Sequence, residues 1–347
     1  MEGPKRNRRF AAWRAAIAST ALALLAVSPA RAQPTTQEGA SVLVFPNLLY
    51  SESSFDTRIF ISNVSNSLAK VRCFYIGDEV VEFTLTLTRQ QPTQWILSQG
   101  RAVDLEDPTC DTGVSTCDTA GFDPGSIPPS VEGYTVQLVC IAVDEGLSPI
   151  ATNALVGHAS LDFLPNGSAI TYSAVGLRGT ELAGSTGNLL QIGPQYDGCA
   201  ETYSLQYRSP GAGDPLAGPD AQARNEILVV PCTLDLVTAP FRPPLSAQLT
   251  VTNEFEAKFV STVAVPQPAG IALDEVFPNL TGEALRVEIR SVETMPGANV
   301  HGFAGVAQIT HVLHGETEQY TFAGANLDAG RSRYDLLLVD EIVAPNP

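Results

Sequence analysis

From residue 41 onward the chain reads as short apolar segments with a period of two. In 69–76 (AKVRCFYI), Val71, Cys73 and Tyr75 fall on one face and Lys70 and Arg72 on the other, which predicts a strand with one wet side. Segment 82–88 (EFTLTLT) repeats the alternation with Phe83, Leu85 and Leu87 inward, and 57–63 (TRIFISN) alternates before ending at the turn formers Asn63 and Ser65. Segment 41–49 (SVLVFPNLL) is an apolar run interrupted by Pro46, which suits an edge or bulged strand. Apolar spacing of three and four residues is almost absent, whereas Val, Ile, Thr, Tyr and Phe clusters bounded by turn residues recur. With 28 Gly and 25 Pro, the chain reads as an antiparallel all-β protein of many short strands.

The pattern comes twice. Residues 133–179 return in degenerate form at 282–330, pairing Gly133/Gly282, Val136/Leu285, Leu138/Val287 and Cys140/Ile289. After a slip of one residue, Gly157/Gly305, Ala159/Ala307, Leu161/Ile309, Tyr172/Tyr320 and Gly176/Gly324 follow. Upstream, Val44 and Pro46 match Val229 and Pro231, and TRIFISN matches AQLTVTN at 247–253, so Asn63 falls on Asn253. From the asparagine to the shared glycine the first copy takes 70 positions and the second 29, which predicts an insertion of about 41 residues around 101–130. What recurs is apolar and turn positions, so the repeat is one of scaffold. The expected organisation is a polar lead-in at 33–40, a β-sandwich domain at 41–194 carrying the insertion, and a second β-sandwich domain at 195–347.

Residues 1–32 read as a secretory signal peptide: basic Lys5, Arg6, Arg8, Arg9 and Arg14, an apolar stretch from 15 to 27, and Ala30-Arg31-Ala32 as a small-x-small cleavage site. The apolar stretch is shorter than the roughly 20 residues of a spanning helix, and no later segment reads as one. A periplasmic or extracellular location follows. The leader holds six of the 20 basic residues and one of the 37 acidic ones; the remaining 14 against 36 give a net charge of −22. A field of that sign repels nucleic acid and anionic lipid, which leaves a protein or cell-envelope component as the expected partner.

All six cysteines lie in the exported part, and an even count without C-x-x-C argues for disulfides. Local spacing favours Cys110 with Cys117 across CDTGVSTC, and Cys73 with Cys140 on inward strand faces either side of a core. It also favours Cys199 with Cys232, at the open end of a hairpin between AETYSLQYR and ARNEILVVP. A strand-borne Cys73/Cys140 pair with Trp95 between them resembles the inter-sheet bridge of immunoglobulin-like sandwiches. The phrasing FDTRIFISNVSNSLAKVRCFY is similar to uncharacterised secreted bacterial proteins with immunoglobulin-like modules. That resemblance implies two tandem immunoglobulin-like antiparallel β-sandwich domains and a cell-envelope or extracellular role.

The acidic insertion supplies the candidate chemistry. Asp104, Glu106, Asp107, Asp111, Asp118 and Asp123 offer hard oxygen ligands of the kind calcium takes, without the spacing of an EF-hand; a solvated acidic loop is the competing expectation. His158, His301, His311 and His314 lack metal-ligand spacing. The nearest approach to G-x-S-x-G, Ala183-Gly184-Ser185-Thr186-Gly187, reads as a loop, and no nucleotide-binding glycine motif occurs. Asn63-Val64-Ser65, Asn166-Gly167-Ser168 and Asn279-Leu280-Thr281 are formal glycosylation sequons that β-turns explain equally well. No catalytic group, cofactor site or catalytic set stands out. The expected function is a non-enzymatic exported module for interaction, adhesion or envelope structure, with a carbohydrate-binding module and a secreted hydrolase as the alternatives.

Overall fold

Segments rich in β-branched and aromatic residues, some alternating with polar ones and some continuously apolar, build the first nine strands: β1 (Val42–Leu49), β2 (Phe55–Asn63), β3 (Ala69–Ile76), β4 (Val80–Leu87), β5 (Pro92–Ile96), β6 (Thr135–Val143), β7 (Leu155–Phe163), β8 (Ala169–Ser173) and β9 (Val175–Leu177). The computed structural model describes residues 38–77, 79–101, 124–130, 135–164, 169–180, 195–197, 199, 202–208, 213–214, 218–233, 245–265, 270–280, 282–292, 300–313 and 320–326. The nine strands form two antiparallel sheets, β4-β3-β6-β1-β9 and β5-β2-β7-β8. Their inner faces meet in one core that includes Phe45, Ile59, Ile61, Cys73, Phe83, Trp95, Leu138 and Tyr172. Inside it, the Trp95 indole donates to the Tyr75 hydroxyl at 2.6 Å, which satisfies the one polar group of a buried tryptophan.

The rest of the chain adds β10 (Thr202–Arg208), β11 (Gly213–Asp214), β12 (Gly218–Thr233), β13 (Leu245–Asn253), β14 (Lys258–Val265), β15 (Ile271–Ala272), the single helical turn α1 (Leu273–Val276), β16 (Ala284–Val292), β17 (Val300–Leu313) and β18 (Tyr320–Asn326). The sheets here are β10-β16-β13-β14 and β11-β12-β17-β18, with β15 beside β12, and they enclose a second core of Tyr203, Leu205, Ile227, Val229, Leu249, Val287, Ile289 and Phe303. The strand orders of the two halves correspond: β4-β3-β6-β1 and β5-β2-β7-β8 run as β14-β13-β16-β10 and β15-β12-β17-β18.

That correspondence corrects several expectations. TRIFISN lies in β2 beside β7, whereas AQLTVTN lies in β13 beside β16, so the two segments occupy different places despite their similar alternation. The position of Ile59, opposite Ala159, is taken instead by Ile227, opposite Ala307. Tyr172 pairs with Ala159, but Ala307 pairs with Ala325 and not Tyr320, because the β17–β18 hairpin is longer. The longer connection of the first half runs over residues 97–134, between β5 and β6, against residues 273–283 between β15 and β16. The expected hairpin around Cys199 and Cys232 does not form: β10 pairs with β16 and β12 with β17, so the two strands face each other across the second core.

A third apolar cluster joins the halves. Val42 and Val44 of β1, Phe74 and Ile76 of β3, and Val139 and Ile141 of β6 meet Tyr196, Cys199, Val230 of β12 and Ala304 of β17. The sheet β4-β3-β6-β1-β9 is therefore covered on its second face at β1, β6, β9 and the C-terminal half of β3, while β4 keeps an exposed side, and β1 is buried almost end to end. Each such aliphatic side chain removed from water contributes roughly 1.5–3 kcal/mol. Hence β3 has its wet side only at Lys70 and Arg72; its C-terminal half is covered. Strand β1 is also not an edge, since β6 and β9 flank it, and a bulge between Phe45 and Leu48 absorbs Pro46. All described strands belong to the compact unit Gln33–Pro347.

Cys73 and Cys140 are bonded, buried and directly opposite each other on β3 and β6, with Cα atoms 4.1 Å apart. The bridge thus joins neighbours within one sheet, where the immunoglobulin bridge joins two sheets. Both side chains point inward as the alternation predicts; what alternation cannot tell is whether two inward residues face each other or lie side by side. Cys199 is buried and disulfide-bonded, while Cys110, Cys117 and the side chain of Cys232 lie outside the described residues.

Candidate functional site

The acidic candidates Asp104, Glu106, Asp107, Asp111, Asp118 and Asp123 lie outside the described residues, but the roots of their loop do not. The chain leaves at Gly100 and Arg101 and returns at Pro124, and the two ends are tied by Arg101 and Ile127, whose N–H groups each donate to the other's carbonyl at 2.8 and 2.7 Å. Ser130 N–H donates to Leu97 O, and Thr86 N–H of β4 to Pro124 O, both at 2.8 Å. Gly100 has φ +61°, and a Cβ there would sit 2.3 Å from Ile127 O, so this exit admits glycine only. Whatever the insertion does, it is presented from a fixed base at one edge of the first half. Among the described residues, no group of three or more His, Cys, Asp or Glu is placed to hold a metal ion.

The other candidate surface is the outer face of β5-β2-β7-β8. Phe60 and His158 are directly opposite on β2 and β7, and their rings stack with centroids 4.3 Å apart and 12° between planes. Around them the same face carries Gln94, Ser160 and Thr171, and Arg58 pairs with Asp162 at 3.4 Å. Burial holds the His158 imidazole below its ordinary value, so the stack is between two neutral rings at neutral pH. The arrangement offers a ring edge and several hydrogen-bonding groups on an open, rigid sheet. The pattern already contained it: with Ile59 and Ile61 inward, Phe60 must point outward, and His158 follows between Gly157 and Ala159. His301 and His311 lie on β17, His311 opposite Ala223 and Thr321, and His314 lies outside the described residues.

Other polar groups named from the sequence serve turns. Asn63 is buried; its amide donates to Ser67 O at 2.7 Å and Thr88 O at 2.9 Å, and its carbonyl accepts from Ser65 N–H at 2.9 Å. A side chain so engaged cannot carry a glycan. Asn253 accepts from the N–H groups of Phe255 at 3.1 Å and Ala257 at 2.9 Å, closing the β13–β14 turn in the same manner. Asn279 is exposed, and Asn166 lies outside the described residues, as do residues 183–187.

No family model matches the chain, and no curated protein matches it. Among solved structures, it is similar at TM-score 0.25 and 12% identity to one described as "Crystal Structure of Thermotoga maritima 1070", covering 40% of this chain and 97% of that one. A glycosyl hydrolase family 2 member from Bacteroides cellulosilyticus gives TM-score 0.15 and 8% identity over 86% of this chain and 30% of that one. The CupB6 tip adhesin from Pseudomonas aeruginosa gives TM-score 0.14 and 10% identity over 86% and 94%. At such scores none of the three carries fold or function over to this chain.

Proposed function

We propose that the chain is an exported, non-enzymatic protein of the periplasm or cell exterior, acting as an interaction, adhesion or envelope-structural module. In this reading it consists of two tandem immunoglobulin-like β-sandwich domains, 41–194 and 195–347, derived from one ancestral unit. The observation that carries it is the agreement of strand order between the halves, with packing pairs and not chemistry at matched places: Cys73 opposite Cys140 in the first, Leu249 opposite Ile289 in the second. Partners would then be met on the open face around Phe60 and His158 and through the insertion rooted at Arg101 and Ile127. In the same proposal the acidic loop is solvated or binds calcium, Cys110 bonds Cys117, and Cys199 bonds Cys232.

A second reading, a carbohydrate-binding module, is favoured by the ring pair set among Gln94, Arg58 and Asp162, since an aromatic surface flanked by hydrogen-bonding groups suits a sugar ring. Affinity capture from envelope extract, run beside a glycan array with the wild type and Phe60→Ala, separates the two. Capture of an envelope protein, lost in Phe60→Ala, supports the first; array signal lost in the same variant supports the second. Turnover of generic ester, glycoside or peptide substrates would overturn both.

A further inference from the structure

The halves treat their sheet edges differently. In the first half, β4 is the outer strand, and its Thr86 N–H is taken by Pro124 O while Glu82 is held by Arg72 in a two-point ion pair at 2.6 and 2.8 Å. The β9 edge is likewise continued, by Asp197 N–H to Arg178 O and Thr180 N–H to Gln195 O, both at 2.8 Å. Covering an edge and charging it are the usual ways of preventing strand addition. The strand at the place of β4 in the second half is β14, KFVSTVAV, and it carries neither device among the described residues. It pairs with β13 in unbroken register from Lys258 to Val265, with no bulge, no proline and no acidic residue. Val260 on its outer face is 60% exposed, and Phe255 in the adjoining turn 75%. On a chain with net charge −17 the strand β14 itself has no acidic residue, its only charged residue being Lys258, and the nearest acids, Glu254 and Glu256, lie in the turn on either side of Phe255.

We propose that β14 pairs with the β14 of a second copy of this chain, antiparallel about Ser261, so that the sheet β10-β16-β13-β14 continues across a two-fold axis. In that register Lys258 lies opposite Ala264, Phe259 opposite Val263 and Val260 opposite Thr262, so no charge meets its like and residues of one face meet residues of the same face. The overall acidity does not oppose this. Antiparallel pairing sends the two Glu256 residues to opposite ends, ten positions apart, or about 34 Å, far beyond the screening length of about 8 Å at physiological salt. Glu254 is engaged within its own chain, accepting the Glu283 N–H at 2.7 Å. The dimer does not depend on whether the partner-binding role proposed above holds.

The test is sedimentation of the exported chain over a concentration series, with two variants on the exposed side of the strand. Val260→Glu with Thr262→Glu, and Val260→Lys with Thr262→Lys, each place two like-charge contacts in the dimer and are expected to raise its dissociation constant about tenfold or more. Mixing the two variants in equal amounts is expected to restore dimers, an outcome misfolding could not give. A wild type that stays monomeric at its highest soluble concentration overturns the proposal. So does a dimer indifferent to both variants, or a monomer that captures extended peptides of other proteins at β14.

Discussion

Two sheets of the same strand order meet different surroundings. At β1 and β6 of the sheet β4-β3-β6-β1-β9 both faces are covered, and these two strands read as nearly continuous apolar runs, VLVF in β1 and LVCIAV in β6, whereas the edge strand β4 alternates and keeps an exposed side. In β10-β16-β13-β14 one face is open, and β16 reads ALRVEIRSV with Leu285, Val287 and Ile289 buried and Arg286 and Arg290 exposed. The difference lies in the sequence period, not the topology: apolar residues at every position mark a sheet between two layers, and strict alternation marks one with water on a side. The inner sheet also carries the covalent bond, where the outer one has Leu249 beside Ile289.

The largest expected effect removes that bond. Cys73→Ala with Cys140→Ala opens a link between residues 67 apart and is expected to cost about 4 kcal/mol in chemical denaturation, against about 3 kcal/mol for Leu249→Ala at the matched place. Equal costs would mean that packing alone decides both. Next comes the contact between the halves. Val230→Asp buries an unpaired carboxylate in the shared cluster and should cost about 3 kcal/mol, with calorimetry changing from one transition to two; Gln248→Asp, half-buried on the outer side of β13, should stay within about 0.5 kcal/mol. The smallest effect belongs to His158. Its folded-state value is lowered by burial, so the stability it contributes is complete above the unfolded value and lost as pH falls through the folded one. Melting temperature should therefore decline from pH 7 toward pH 5 more steeply in the wild type than in His158→Gln.

The inward faces were legible: Val71, Cys73 and Tyr75, and Phe83, Leu85 and Leu87, are buried as their alternation requires. The Cys73/Cys140 bond followed from two inward cysteines. Neighbours were not legible, because alternation fixes the face a residue takes and says nothing of which strand lies beside it. That is why TRIFISN resembles AQLTVTN although β2 and β13 hold different places, and why the flanks of the 209–222 loop read as a hairpin although β10 and β12 lie in different sheets. The interface between halves escaped for a related reason: Lys70 and Arg72 announce a wet side that Phe74 and Ile76, two turns of the pleat later, contradict. As for the site, Phe60 is an aromatic in the outward phase of an alternating strand, a signal readable in the chain, whereas the six acids 104–123 are a matter of composition, and composition sets no geometry.

The position of the Cys73–Cys140 bond has a consequence for how the molecule returns from partial opening. Shifting β3 along β6 by one residue would turn Val71, Cys73 and Tyr75 to the opposite side of the sheet, and a sulfur–sulfur link between directly facing residues forbids that slide. An oxidised chain that loosens under stress keeps its alignment at the centre of the inner sheet, and reclosure starts from the correct pairing without having to find it again.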